Sequence, residues 1–238
     1  MMCDFSIRRR NRPPNTNITP ASQLVYPSHP FSSTLSQMLS TLPSGFSDLA
    51  LQTLLSTQVI ELLHRTRRTM DKGAAEFLRD TSVGVEMMRL SMEPQARALE
   101  RAVVLLAFVF VRLLLDAACP RESRINNTAR TVRSIKDPVR ELAAAVFDLD
   151  TVAGPKFVLW AVYVLAAARP EYGLPAAAQD EILLRLRRVV PPAARLDVFL
   201  ATVRKFFFHD KLLPGLKELW DRMMELDDST TRTVASPT

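Results

Sequence analysis

From Ser47 onward, apolar residues recur at helical spacing. Leu51, Leu54, Leu55, Val59, Leu62 and Leu63 share one face, with Ser47 placed to cap the helix. His64, Arg65, Arg67 and Arg68 close it, cations that suit the negative pole of a helix dipole and read as a helix terminus rather than a binding patch. A second helix is predicted over 74–92, with Leu78, Val85, Met88 and Met92 inward and Gly84 weakening its middle. Pro94 suits the first turn of a third helix that runs to Ala118 and stops before Pro120. This helix is apolar nearly all round between Ala102 and Val111, the pattern of a central helix. Residues 120–136 follow as a polar connector, with Arg121, Arg124, Arg130, Arg133 and Lys136 set against Glu122.

Asp137 and Pro138 then read as cap and first residue of a helix with Val139, Leu142, Val146 and Phe147 inward. Gly154 and Pro155 open the next, Lys156–Arg169. A further helix carries Ile182, Leu183, Leu186, Val189 and Val190 on one side, with Arg185, Arg187 and Arg188 toward water. Leu196, Phe199, Leu200, Val203, Phe206 and Phe207 form the strongest amphipathic stripe of the chain, and a last helix covers 216–226. No stretch alternates in the manner of a strand. The expectation is an all-α protein of seven to eight helices between about 47 and 226. It divides at the 120–136 connector into a helical N-terminal part, 47–119, and a second part, 137–226, with a frayed end at 227–238.

Composition changes the picture mainly before residue 47. Residues 1–46 hold six prolines, many Ser, Thr and Asn, and no acid after Asp4, and read as a disordered tail. Arg8, Arg9, Arg10 and Arg12 suit a nuclear-import patch; an Arg-rich, acid-free N-terminus also suits a mitochondrial presequence, although Pro13 and Pro14 break the helix that a presequence needs. Pro13, Pro14 and polar residues also stand where a secretory signal would carry its apolar stretch. Over all 238 residues, 31 Lys and Arg stand against 25 Asp and Glu, an excess too mild and dispersed to demand a nucleic-acid partner. The apolar run 102–111 ends at Arg112, far short of the roughly 20 residues of a membrane span.

Chemistry-bearing motifs are absent. Cys3 and Cys119 stand far apart and read as free thiols, with no paired spacing for zinc. His29, His64 and His209 share no spacing, and adjacent His209 and Asp210 read as a helix-end cation beside the next helix's cap. Six glycines form neither a phosphate loop nor a dinucleotide fingerprint. No catalytic, cofactor-binding or metal-ligating residue is assigned, no cofactor is expected, and the chain does not read as an enzyme.

One resemblance points further. Leu159, Trp160, Ala161, Val162, Tyr163 and Val164 are followed by Leu183, Leu186, Arg187 and Arg188. Then come Val203, Arg204, Lys205, Phe206, Phe207, Phe208 and Asp210, and finally Leu219 with Trp220. This succession resembles the end of the regulatory region, the fungal-specific transcription factor domain, of fungal regulators that carry a six-cysteine binuclear zinc cluster. It covers about residues 157–220. Leu165 and Ala166 replace the family's small residues, and tryptophans usual near Leu196 and Phe208 are replaced. The resemblance implies an all-helical regulatory module in the nucleus that binds a protein partner, such as transcriptional machinery. With only two cysteines the zinc cluster is missing, so sequence-specific DNA binding is not expected of this chain alone. The alternatives are a helical small-molecule-binding protein or enzyme without a recognisable motif, in the cytoplasm, or a mitochondrial helical protein.

Overall fold

A computed structural model describes residues 23–72, 81–118, 124–168, 176–190 and 196–234, with the backbone alone at 81, 124–134, 176, 188, 189 and 226–234. The described residues are all-helical, without strands. Ten helices follow one another: α1 Ser33–Thr41, α2 Ser44–Leu51, α3 Thr57–Asp71, α4 Thr81–Ser91, α5 Ala98–Ala118, α6 Arg124–Ala145, α7 Pro155–Ala167, α8 Ala176–Val189, α9 Leu196–Val203 and α10 Leu213–Val234. Short helical turns at Val146–Leu149, Asp150–Ala153 and Asp210–Leu212 join them.

Two helices organise the packing. Every residue of α5 from Ala102 to Val111 is buried, as its all-round apolar pattern predicts, and α3, α4 and α6 pack against it. α7 opens at Gly154 and Pro155 as expected, with Gly154 at a positive φ of 75° and Pro155 in the first turn. Around α7 pack α8, α9 and α10, and α7 also meets α5. No helix among the described residues is long and apolar enough to cross a membrane.

The structure corrects several boundaries. Half of the expected tail is folded: Leu24, Leu35, Leu39, Leu42 and Phe46 are buried in the main core, and α1 and α2 lie within it. Ser32 caps α1 by accepting from the Leu35 N–H at 3.2 Å, so the Ser-rich composition read as disorder includes a helix start. Residues 1–22 lie outside the described residues. The helix expected from Ser47 is two helices, α2 and α3, because the chain turns at Thr53 with φ 56°. As a result Leu51 is exposed and His64 sits inside α3, not at its end.

The 120–136 connector is largely helix, and Asp137–Pro138 opens nothing: Pro138 lies inside α6. Proline there lacks the N–H for an intrahelical bond. Yet Ile135, Val139, Leu142 and Val146 continue one buried stripe across it, and burial on α5 outweighs the lost bond. One cluster of buried side chains runs from Leu24 to Met223 and takes residues from both sides of this segment, so the expected division into 47–119 and 137–226 is not found. α5 starts at Ala98, with Pro94 in the preceding turn. On α4 the inward residues are Val83, Met87 and Leu90, which leaves Val85 and Met92 exposed, contrary to expectation; Leu78 lies outside the described residues. The helix α10 extends past 226 to Val234, where fraying was expected.

Candidate functional site

Aromatic residues of the 157–220 stretch meet those of α2 and α5 in one knot. Trp160 of α7 stacks on Phe206 at 5.3 Å between ring centroids, and Phe46 of α2 stands edge-on to both. Phe207 closes against Phe46 and Phe110, and Tyr163 stacks on Phe208. The predicted stripe 196–207 does not stay helical throughout. α9 ends at Val203, and Phe206 and Phe207 reach the core from the following turn. Leaving the helix lets the main chain bond the knot: the Trp160 indole N–H donates to Phe207 O at 2.9 Å, and Gly45 N–H donates to Lys205 O at 2.6 Å. Gly45 has no room for a side chain, since a Cβ there would stand 2.5 Å from the Phe206 ring.

Tyr163 ends the knot. Its hydroxyl donates to His209 O at 2.8 Å and accepts from His209 N–H at 3.1 Å. Burial, with the nearby Asp210 charge, pushes its phenol well above the ordinary range. The cap of the Asp210–Leu212 turn is His209, not Asp210: its Nδ1 accepts from Lys211 N–H at 3.2 Å. Every polar atom of Trp160 and Tyr163 thus has a partner, and the knot is structure rather than a reactive centre.

Beside it lies an open cleft of about 300 Å³, lined by Asp48 and Leu49 of α2, by Gln52 just after it, and by Val152, Lys156 and Phe206. Lys156 Nζ stands 3.9 Å from Asp48 Oδ2. A base and an acid on an apolar wall can hold a small polar ligand.

Glu100, in the first turn of α5, is fully buried. Its Oε1 accepts from Ser56 N–H at 2.6 Å, and Oε2 from Arg97 N–H at 3.2 Å and from the Tyr26 hydroxyl. The bond back to the residue before the helix is half of a capping box. The guanidinium of Arg97 lies 3.8 Å over the Tyr26 ring and donates to Thr53 O at 3.0 Å. Burial and the Glu100 carboxylate push the Tyr26 phenol up to about 12. Sequence reasoning missed this centre. The available signal was a carboxylate at the mouth of the helix that carries the apolar run 102–111, where an unpaired charge is costly.

The remaining candidates stay apart. His64 Nδ1 meets Thr41 Oγ1 at 2.9 Å, and His29 stacks on Phe31. Several described cations are neutralised locally: Arg67 by Asp71, Arg89 by Glu86, Arg185 by Glu181 and Arg222 by Asp180. The side chains of Arg121, Arg124, Arg130 and Arg133, and both cysteines, lie outside the described residues. Among the described residues no three His, Cys, Asp or Glu are grouped to hold a metal ion. No known protein family, curated protein or solved structure matches the chain.

Proposed function

We propose that this chain is a regulatory protein-interaction module of the fungal transcription-factor type, acting in the nucleus through a protein partner and without a DNA-reading element of its own. The observation that carries the reading is the aromatic knot. Residues far apart in the resembling stretch, Trp160, Tyr163, Phe206, Phe207 and Phe208, are neighbours in one packed unit, which supports reading the stretch as one module. Local pairing of several described cations, Arg67 and Arg222 among them, is in keeping with a chain that does not read DNA sequence, because a duplex is captured by a continuous basic face.

The test has two arms. Fused to a heterologous DNA-binding domain, the full chain is expected to change expression of a reporter carrying that domain's site, and Trp160→Ala is expected to abolish the change. Purified alone at about 150 mM salt, it is expected to bind DNA without preference; selection of one duplex by about a hundredfold would overturn the reading. The cleft beside Asp48 and Lys156 favours a second reading, a small-molecule-binding protein. A ligand that stabilises the wild-type chain but not Val152→Trp, with an unchanged reporter response, would favour that second reading over the first.

A further inference from the structure

We propose that the groove between the N-terminal ends of α3 and α5 is a peptide-recognition site, which this chain fills in cis with Gln23–Tyr26. In exchange it takes an extended Leu-x-Tyr segment of a partner protein. The inference does not rest on the regulatory-module reading.

Residues 23–28 have no regular secondary structure, yet they are gripped as a ligand is. Three bonds hold the main chain. Val25 N–H donates to Gln58 Oε1 at 3.1 Å, Gln58 Nε2 donates to Gln23 O at 3.1 Å, and Thr57 N–H donates to Val25 O at 2.7 Å. Such bonds read any extended backbone, as in recognition by strand addition. Side chains alternate as in an extended chain: Leu24 enters the core, Val25 is 56% exposed, and Tyr26 turns back inward. The groove therefore selects at every second residue.

Selection at the tyrosine is chemical. Arg97 covers the ring, and the buried carboxylate of Glu100 accepts its hydroxyl, so phenylalanine would fill the slot and leave one carboxylate oxygen short of a donor. The segment also completes the start of α3, where Ser56 makes no side-chain cap bond. The free N–H of Thr57 is satisfied by the carbonyl of Val25 instead. A partner segment with the same spacing would supply that carbonyl equally well. Because a tethered segment acts at an effective concentration on the order of millimolar, it screens the groove until it is released or outcompeted.

The experiment uses the full chain carrying Leu24→Asp and Tyr26→Ala, which frees the groove, and a fluorescent peptide with the sequence of residues 23–31. Saturable binding to this variant, at least about tenfold tighter than to the wild-type chain, is expected. The same peptide with phenylalanine for tyrosine is expected to bind about tenfold more weakly. No binding by a variant that keeps its helical circular dichroism would overturn the proposal. Hydrogen exchange on the wild-type chain decides the matter even if the variant misfolds. The Val25 and Thr57 amides are expected to open at least about a hundredfold more often than those of Val103 to Val109. Equal protection would make residues 23–28 an integral part of the fold and overturn the proposal. So would a wild-type dimer that dissociates on Leu24→Asp with Tyr26→Ala, since the groove would then belong to a second copy.

Discussion

Around Trp160, stacked and edge-on rings fill a site in which the few polar atoms are paired with main chain, whereas around Glu100 a single ionised group gathers donors from three separate segments. Both are buried, and they are held by different physics. The knot draws on apolar area and shape, which depend little on pH and fail when volume changes. The Glu100 centre, a latch that ties Tyr26 and Ser56 to α5, draws on directed bonds to a charge, which are strong while every partner is present and fail when one partner changes its proton. A chain can thus keep one site fixed and leave another releasable.

The deepest break is expected from Trp160→Ala. Losing the indole and its bond to Phe207 should cost about 3–5 kcal/mol and unfold the whole chain at lower denaturant, latch included, which urea titration followed by circular dichroism checks. Gly215→Ala comes next. A Cβ there would stand 2.6 Å from the main-chain oxygen of Ala166, where α10 crosses α7, and the clash should cost about 2–3 kcal/mol in the same titration.

Tyr26→Phe should cost about 1.5–2 kcal/mol and act locally, raising exchange at Val25 and Thr57 while leaving the amides around Trp160 unchanged. Alkaline pH sharpens the contrast. The Tyr26 phenol is raised from 10.0 to about 12 in the folded chain, so its stabilising contribution is complete below pH 10 and disappears as pH rises to about 12. Thermal melts across that window should lose stability in the wild-type chain more steeply than in Tyr26→Phe. The smallest effect is expected at Thr53, whose φ of 56° strains a branched residue. Thr53→Gly relieves that strain at an entropic cost and should stabilise by less than about 1 kcal/mol, with the Arg97 bond to its carbonyl kept. A destabilised Thr53→Gly would show that the Thr53 side chain itself supports the latch.

The knot is partly legible in the amino-acid sequence. Its residues stand in helical stripes or in the resembling stretch, and burial follows periodicity wherever a helix lies on the core, as at Ile182, Leu183 and Leu186. What periodicity lacks is the end of α9 at Val203, because Phe206 and Phe207 continue the stripe in register while reaching the core by a different path. Of the latch, only the carboxylate at the mouth of an apolar helix is legible, and its partner is not. Tyr26 and Glu100 are 74 residues apart, and neither residue type marks a partner in sequence.

By itself, then, the sequence determined the helical class, the central place of α5 from its all-round apolar surface, and helix starts such as Gly154–Pro155, since these depend on neighbours within a turn or two. Tertiary structure alone decided that α1 and α2 join the core, that α6 runs through Pro138, and that Gln23–Tyr26 lies across α3 and α5. Each of these turns on apolar area or hydrogen-bond partners supplied from distant parts of the chain, and local propensity carries no information about them.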